Sequence, residues 1–118
     1  MKSDITQAGG GILAIEPTLK DKVYAYLKEF HTGSNNAVST WDLTYAFNVN
    51  SRRIREVVKE LRRDLVPVCI NGGGYFIATT EEEMEQTLSR IRSAADSLNE
   101  TYVFLLSAIN SERRNDAL

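Results

Sequence analysis

The chain has 118 residues, of which 42% are hydrophobic and 25% charged, and its formal net charge is -2. This balance is usual for one globular domain with a modest core. A single cysteine excludes an internal disulfide, and no apolar run approaches the roughly 18 to 20 residues that span a bilayer.

The amino-terminal segment, residues 1–17, is predicted to be a flexible arm. The glycine triplet Gly9-Gly10-Gly11 stands in it, followed by a short apolar run at residues 12–15. A phosphate-binding loop would need a lysine and a hydroxyl residue after the glycines, and Ile12 stands there instead. The segment does not have the pattern of a secretory leader, so we expect a cytoplasmic protein without a membrane partner.

The first helix is predicted to begin after Thr18, which can cap it while the Asp21 carboxylate reaches back to the free amides. Apolar side chains recur at helical spacing at Leu19, Val23, Tyr26, Leu27 and Phe30. The polar run of residues 31–36 ends this pattern. His31 is the only histidine, and no second histidine or cysteine lies at ligand spacing, so no metal site is predicted.

A short second helix is predicted after Ser39, which repeats the capping pattern together with Asp42. Its apolar residues are Trp41, Leu43, Tyr45, Ala46 and Phe47. The sequence NVNS then predicts a tight turn in which Val49 points inward. Either Ser51 or Asn50 caps the next helix.

The third helix, residues 51–64, combines an apolar stripe with concentrated positive charge. The stripe consists of Ile54, Val57, Val58, Leu61 and Leu65. Residues 52–63 carry six basic and two acidic side chains, net +4, which leaves 8 basic and 14 acidic residues, net -6, elsewhere. A basic surface on an acidic chain indicates a docking site for phosphate, and a solvated helix face is the alternative. The predicted core contains Leu27, Trp41, Ile54 and Leu61.

The segment VPVCINGGGYFIAT predicts a β-hairpin. Apolar residues alternate through residues 66–70, and three glycines allow a reversal before residues 75–78. Pro67 indicates an edge strand or a strand start, because it has no amide donor. Cys69 is interpreted as a small structural residue and not as a nucleophile, since no histidine or activating charge lies near it in the sequence.

Helix, short helix, turn, basic helix and hairpin is the element order of a winged helix-turn-helix domain. Over residues 18–79 the chain resembles winged helix DNA-binding modules of the biotin-repressor-like type. The features that carry the resemblance are Ser51 at the start of the basic helix, the body REVVKELR, the strand PVCI and the return GGYFIAT. The chain is also similar to small proteins of phages and integrated mobile elements that end in a long helix with an acidic start.

The resemblance implies a mainly α fold with a small β-hairpin wing, of the α+β class, and double-stranded DNA as the partner. Helix 51–64 would be the recognition helix in the major groove. The residues expected at the DNA are Ser51, Arg52, Arg53, Arg55, Glu56, Lys59 and Arg63. Glu56 is placed to accept a hydrogen bond from a cytosine amine. Wings of this family often carry a basic residue at the tip, and NGGG has none.

A long helix is predicted over residues 80–110, before a disordered tail at residues 111–118. Thr80 and Glu83 match a capping box, and the glutamates of the first turns suit the helix dipole better than an acid–base pair. Apolar residues at 4,3,4,3,4,3,4 spacing are Met84, Leu88, Ile91, Ala95, Leu98, Tyr102, Leu105 and Ile109. This coiled-coil pattern predicts a homodimer, and a helix folded back over its own domain is the alternative.

Two hypotheses of function follow. The first is a dimeric DNA-binding protein, either a transcriptional regulator or a replication or maintenance factor of a phage or mobile element. The second is a protein-interaction module that uses the winged fold and the acidic C-terminal helix without binding DNA. The sequence contains no metal cluster, no nucleophile paired with a base and no phosphate loop, so we predict neither enzyme activity nor a cofactor.

Overall fold

The computed structural model describes residues 16–117, and the predicted amino-terminal arm therefore lies almost entirely outside the described residues. The elements are α1 (Leu19–Phe30), α2 (Thr40–Phe47), α3 (Ser51–Arg63), β1 (Val68–Asn71), β2 (Gly74–Ile77) and α4 (Glu81–Ala117). The fold is mainly α with one small antiparallel hairpin and a long C-terminal helix, which confirms the predicted α+β class. The chain divides into two compact units between Thr79 and Thr80.

The start of α1 is a complete capping box, as predicted. The Thr18 Oγ1 accepts a hydrogen bond from the Asp21 amide at 3.1 Å, and the Asp21 carboxylate accepts one from the Thr18 amide at 3.2 Å. Val23 and Leu27 are fully buried. Phe30, predicted on the same stripe, is 56% exposed because it is the last residue of α1, where its ring packs beside Tyr26.

The short helix α2 is capped by Ser39, whose Oγ accepts a hydrogen bond from the Asp42 amide at 3.0 Å. Leu43 is fully buried, but Trp41 is 76% exposed and Tyr45 is 85% exposed. The prediction that Trp41 belongs to the core is therefore wrong. A helix of eight residues with apolar side chains on several sides has no periodicity strong enough to identify the side that is buried.

A tight turn joins α2 to α3. Asn48 adopts the left-handed conformation with φ 54° and ψ 47°, and Val49 is half-buried, as predicted. Of the two possible caps, Asn50 rather than Ser51 is the N-cap of α3. Its Oδ1 accepts a hydrogen bond from the Arg53 amide at 2.8 Å.

The apolar stripe of α3 lies at the centre of the core. Its buried residues are Ile54, Val57, Val58 and Leu61, which are between 0% and 3% exposed. Burial of each such side chain stabilises the fold by about 1.5 to 3 kcal/mol. Leu65 was predicted to extend the stripe but is 89% exposed, because α3 ends at Arg63 and the backbone of Leu65 turns with a left-handed φ of 66°.

The strands β1 and β2 form a two-stranded antiparallel hairpin, as predicted. Pro67 stands immediately before β1, where its missing amide removes no hydrogen bond from the ladder. The segment between α1 and α2 adds two isolated bridges to β2, from Thr32 to Ile77 and from Val38 to Tyr75. This segment therefore supports the hairpin along its second edge.

The helix α4 has 37 residues, which corresponds to a length of about 55 Å. The Thr80 Oγ1 accepts a hydrogen bond from the Glu83 amide at 3.1 Å, which caps its start. The helix continues through Ala117, so the predicted end at residue 110 is wrong. No proline or glycine stands in residues 111–117 to end it. Among the helices of the described residues, none combines the length and apolarity needed to cross a membrane.

Candidate nucleic-acid interface

The exposed side of α3 brings together most of the residues predicted to bind DNA. Burial of the apolar stripe directs the opposite side of the helix toward solvent. The exposed residues on that side are Arg52, Arg55, Glu56, Lys59 and Arg63, and we call them the basic face. Four cations and one carboxylate give this face a net charge of 4 - 1 = +3.

A shallow, open cleft of about 480 Å³ lies on the basic face and is lined by Arg52, Arg55, Glu56 and Lys59. These residues occupy positions i, i+3, i+4 and i+7, so they project from successive turns on one side of the helix. A guanidinium group can donate two parallel hydrogen bonds to phosphate, and an ammonium group acts as a point charge. The cleft therefore has the chemistry of an anion site.

Glu56 lies between two arginine side chains. Its carboxylate is 3.6 Å from Arg52 Nε and 3.4 Å from Arg53 Nη1. Exposed pairs of this kind contribute about 0.3 to 0.5 kcal/mol and are screened by salt. Glu56 can therefore orient both guanidinium groups while leaving them available to a stronger anion.

Arg53 differs from the cations of the basic face. It is half-buried on the flank of α3, and its Nη1 also lies 3.5 Å from the Glu60 carboxylate. Arg55, Lys59 and Arg63 make no ion pair within residues 16–117. Because no carboxylate has to be displaced from these three side chains, they are better placed than Arg53 to contact phosphate.

The amino end of α3 is also exposed, at Asn50, Ser51 and Arg52. The dipole of a helix places partial positive charge at its first turn. The first turn of α3 contains no acidic residue that would offset this charge. Arg52 and the helix dipole therefore both attract anions to the amino end of α3.

Arg62 belongs to the packing of the N-terminal unit and not to the basic face. Its Nε donates a hydrogen bond to the Val68 carbonyl oxygen at 2.9 Å, which ties α3 to β1. Its Nη2 is buried without a hydrogen-bond partner among the described residues. One of the six cations grouped together in the sequence therefore has a structural role.

The two exposed aromatic side chains of α2 form a surface that sequence analysis missed. Trp41 and Tyr45 are four residues apart and lie on the same side of the helix. Leu43 projects from the opposite side and is buried. The spacing of these three residues could have predicted from the sequence that the two aromatics and Leu43 lie on opposite sides of α2. The pair is suited to stacking or to contact with a protein partner.

The hairpin turn offers no positive charge. Asn71 closes it, because its Oδ1 accepts a hydrogen bond from the Gly73 amide at 2.7 Å. The Asn71 Nδ2 donates to the Ser34 carbonyl oxygen at 2.8 Å and so anchors the turn. The turn itself, Gly72 and Gly73, presents backbone groups alone.

The apolar residues that were predicted to form a coiled coil are exposed along α4, and we call these eight residues the seam. Its seven large members range from 37% exposed at Met84 to 72% exposed at Leu98, and Ala95 is exposed as well. Further exposed apolar residues beside its C-terminal half are Val103, Phe104 and Leu106. Apolar surfaces of this extent are typical of interaction sites.

No protein-family model matches this chain, and neither does any curated protein or solved structure. The resemblance to winged helix domains stays a prediction from the sequence. The basic face and the seam are therefore the features of this chain that bear on its function.

Proposed function

We propose that this protein is a dimeric winged helix-turn-helix protein that binds double-stranded DNA and places α3 in the major groove. The observation that carries the proposal is the basic face, an exposed surface of net charge +3 directly opposite the buried stripe of α3. It acts as a transcriptional regulator or as a replication or maintenance factor of a phage or mobile element. Its function is binding and not catalysis.

The distribution of charge supports DNA as the ligand. The chain has a formal net charge of -2, yet residues 52–63 carry net +4. Because the rest of the chain is acidic, non-specific attraction to a polyanion over the whole surface is weak, and attraction is concentrated at α3. An α-helix with its side chains, about 10 to 12 Å across, fits the roughly 12 Å width of the major groove.

The basic face suggests a division of roles along α3. Arg52 and Arg55 lie near the amino end, which enters deepest in helix-turn-helix complexes, and arginine can bind guanine with two hydrogen bonds. Glu56, whose carboxylate lies beside Arg52, can accept a hydrogen bond from a cytosine amine. Lys59 and Arg63, farther along the helix, are assigned to phosphate contacts that set the register.

The dimer is proposed from the seam. A second subunit would cover the exposed apolar side chains of α4 and bring a second copy of α3 to the DNA. Two linked binding units gain affinity without new contacts, because the second binding event becomes intramolecular. A reducing, cytoplasmic location is part of the proposal, and the free thiol of the buried Cys69 is compatible with it.

A second candidate function is a protein-interaction module without direct DNA binding. The observation that favours it is the aromatic surface of Trp41 and Tyr45, which is apolar and exposed. The uncharged hairpin turn and the acidic start of α4 point in the same direction. In this alternative the basic face is solvated and has no ligand.

Titration of random-sequence duplex DNA at two salt concentrations separates the two candidates. With two phosphate contacts in each subunit, from Lys59 and Arg63, the dimer makes four. At a slope of about 0.9 each they predict a loss of about a hundredfold in affinity between about 50 and 200 mM salt. Binding that is weak and insensitive to salt would contradict the DNA proposal and support the protein-interaction module.

A further inference from the structure

The seam of α4 has a symmetry that bears on how a partner would pack against it. The intervals between its eight residues are 4,3,4,3,4,3,4, and this series reads the same from either end. A second copy of the helix that runs in the opposite direction therefore meets every seam residue in register. The facing pairs are Met84 with Ile109, Leu88 with Leu105, Ile91 with Tyr102 and Ala95 with Leu98.

The sizes of the facing side chains favour this opposite direction. In an antiparallel pair the small Ala95 faces the large Leu98 in both central layers, so that packing density is even. In a parallel pair Ala95 faces its own copy and leaves a gap, while Tyr102 faces its own copy and crowds the interface. Layers that alternate large and small residues across the interface pack without voids or strain.

The charges at the two ends of α4 favour the same direction. Glu81, Glu82 and Glu83 lie in its first turn, whereas Arg113 and Arg114 lie near its end. In a parallel pair the acidic ends lie side by side and repel each other. In an antiparallel pair in this register, the acidic start of each helix lies beside residues 110–114 of the other, where Arg113, Arg114 and Glu112 leave a net charge of 2 - 1 = +1. The repulsion of the parallel pair is then absent, and the two helix dipoles also oppose.

We infer that the occupant of the seam is a second copy of this chain and that the two α4 helices pack antiparallel, with Ala95 and Leu98 at the centre. This inference rests on the homodimer of the proposed function and adds the relative direction of its two α4 helices. The two Thr80 residues at the helix starts are then about 50 Å apart along the pair, from 33 residues at about 1.5 Å each. The two N-terminal units are therefore attached at opposite ends of the helix pair.

Disulfide trapping with full-length single variants tests the direction. In the antiparallel pair Leu88 faces Leu105, but two copies of Leu88 lie about 26 Å apart along the axis, far beyond the roughly 4.4 to 6.8 Å between Cα atoms in a disulfide. Leu88→Cys and Leu105→Cys are oxidised separately and as an equimolar mixture. The unsubstituted chain, whose Cys69 is buried, measures the background.

The expected result is a covalent dimer in the mixture, and monomers at background level in each single variant. Covalent dimers in the single variants and none of the mixed species would overturn the antiparallel inference and leave the homodimer standing. Absence of cross-links in all samples, although sedimentation shows a wild-type dimer, would place the interface elsewhere. A wild type that sediments as a monomer at tens of micromolar would contradict the proposed dimer itself.

Discussion

The helices α3 and α4 carry similar apolar patterns, but the apolar side chains of α3 are buried and those of α4 are exposed. The stripe of α3 is between 0% and 3% exposed, whereas the large residues of the α4 seam are between 37% and 72% exposed. Periodicity therefore identifies which side of a helix is apolar and does not identify what covers it. For α3 the cover is its own unit, and for α4 we propose that it is a second chain.

The largest effect is expected from a cavity in the buried stripe. Ile54→Ala should lower the free energy of unfolding of the N-terminal unit by about 2 to 5 kcal/mol, because Ile54 is fully buried. Leu105→Ala, the matched change on α4, should leave this free energy unchanged at sub-micromolar concentration. Urea unfolding followed through the fluorescence of Trp41, the single tryptophan, which lies in the N-terminal unit, measures both. Equal effects of the two changes would remove the distinction between the helices.

The next prediction concerns the close contact between the hairpin and the segment that bridges to it at Val38. Gly74 has φ 126°, and an added Cβ would lie 2.0 Å from the Val38 carbonyl oxygen. Gly74→Ala should therefore destabilise the N-terminal unit by at least about 2 kcal/mol. Gly72→Ala is the control, since its Cβ would meet nothing within 4 Å, and its effect should stay within about 0.5 kcal/mol. Thermal unfolding of both variants measures the two changes in stability. A neutral Gly74→Ala would show that the hairpin does not depend on its bridge to Val38.

Placing a charge in the seam should act on association and not on folding. Leu98→Glu should weaken the dimer by at least about 2 kcal/mol, roughly thirtyfold in Kd, since a carboxylate would replace a central apolar contact. The NMR spectrum of the N-terminal unit should not change. Sedimentation across a concentration series gives the Kd, with the exposed Asn99→Glu as a control beside the seam. A Leu98→Glu variant with a disordered N-terminal unit would assign α4 to the fold of a single subunit.

Much of the fold could be predicted because its signals are local. The caps at Thr18 and Ser39 each depend on residues three positions apart, and the apolar stripe of α3 is fixed by helical geometry. Leu65 was misassigned because the chain has already left the helix there. Leu65 itself adopts the left-handed conformation, and no glycine marks this position in the sequence. The bridge between Val38 and Tyr75 was missed because it joins distant segments, and no local pattern reports such a contact.

In the candidate site, too, local patterns could be predicted and contacts between distant segments could not. The outward direction of Arg52, Lys59 and Arg63 follows from the buried stripe and was predicted. Arg55 was expected on a flank of the helix and is exposed on the basic face. The structural role of Arg62 was not, because it depends on the position of the Val68 carbonyl oxygen in a neighbouring strand. The exposure of Trp41 likewise depends on which side of α2 the other elements cover.

The smallest expected effect concerns the ion pair between Lys20 and Asp64, which joins the start of α1 to the end of α3 at 2.6 Å. A hydrogen bond and charge attraction from Asp64 raise the pKa of Lys20. A raised lysine pKa stabilises the fold below the ordinary pKa of lysine, and this contribution is lost as pH rises through the raised value. Asp64→Asn should therefore lower the urea midpoint slightly near neutral pH, and the difference from wild type should shrink above about pH 10.4. Glu29→Gln, a change at an exposed carboxylate, serves as the control, and a difference that is constant with pH would exclude the ion pair as its cause.

Binding of DNA by the basic face can be tested with two triple variants that have the same change in net charge. Arg52→Glu, Arg55→Glu and Lys59→Glu reverse the basic face, while Lys22→Glu, Lys28→Glu and Arg90→Glu reverse exposed cations elsewhere. Duplex affinity measured over a salt series should fall about a hundredfold or more in the first variant, with the salt slope reduced by about 0.9 for each lost phosphate contact. The second variant should stay close to wild type, and circular dichroism should show both folded. Equal losses in the two variants, or wild-type binding by the first, would contradict the assignment of α3 as the DNA-binding helix.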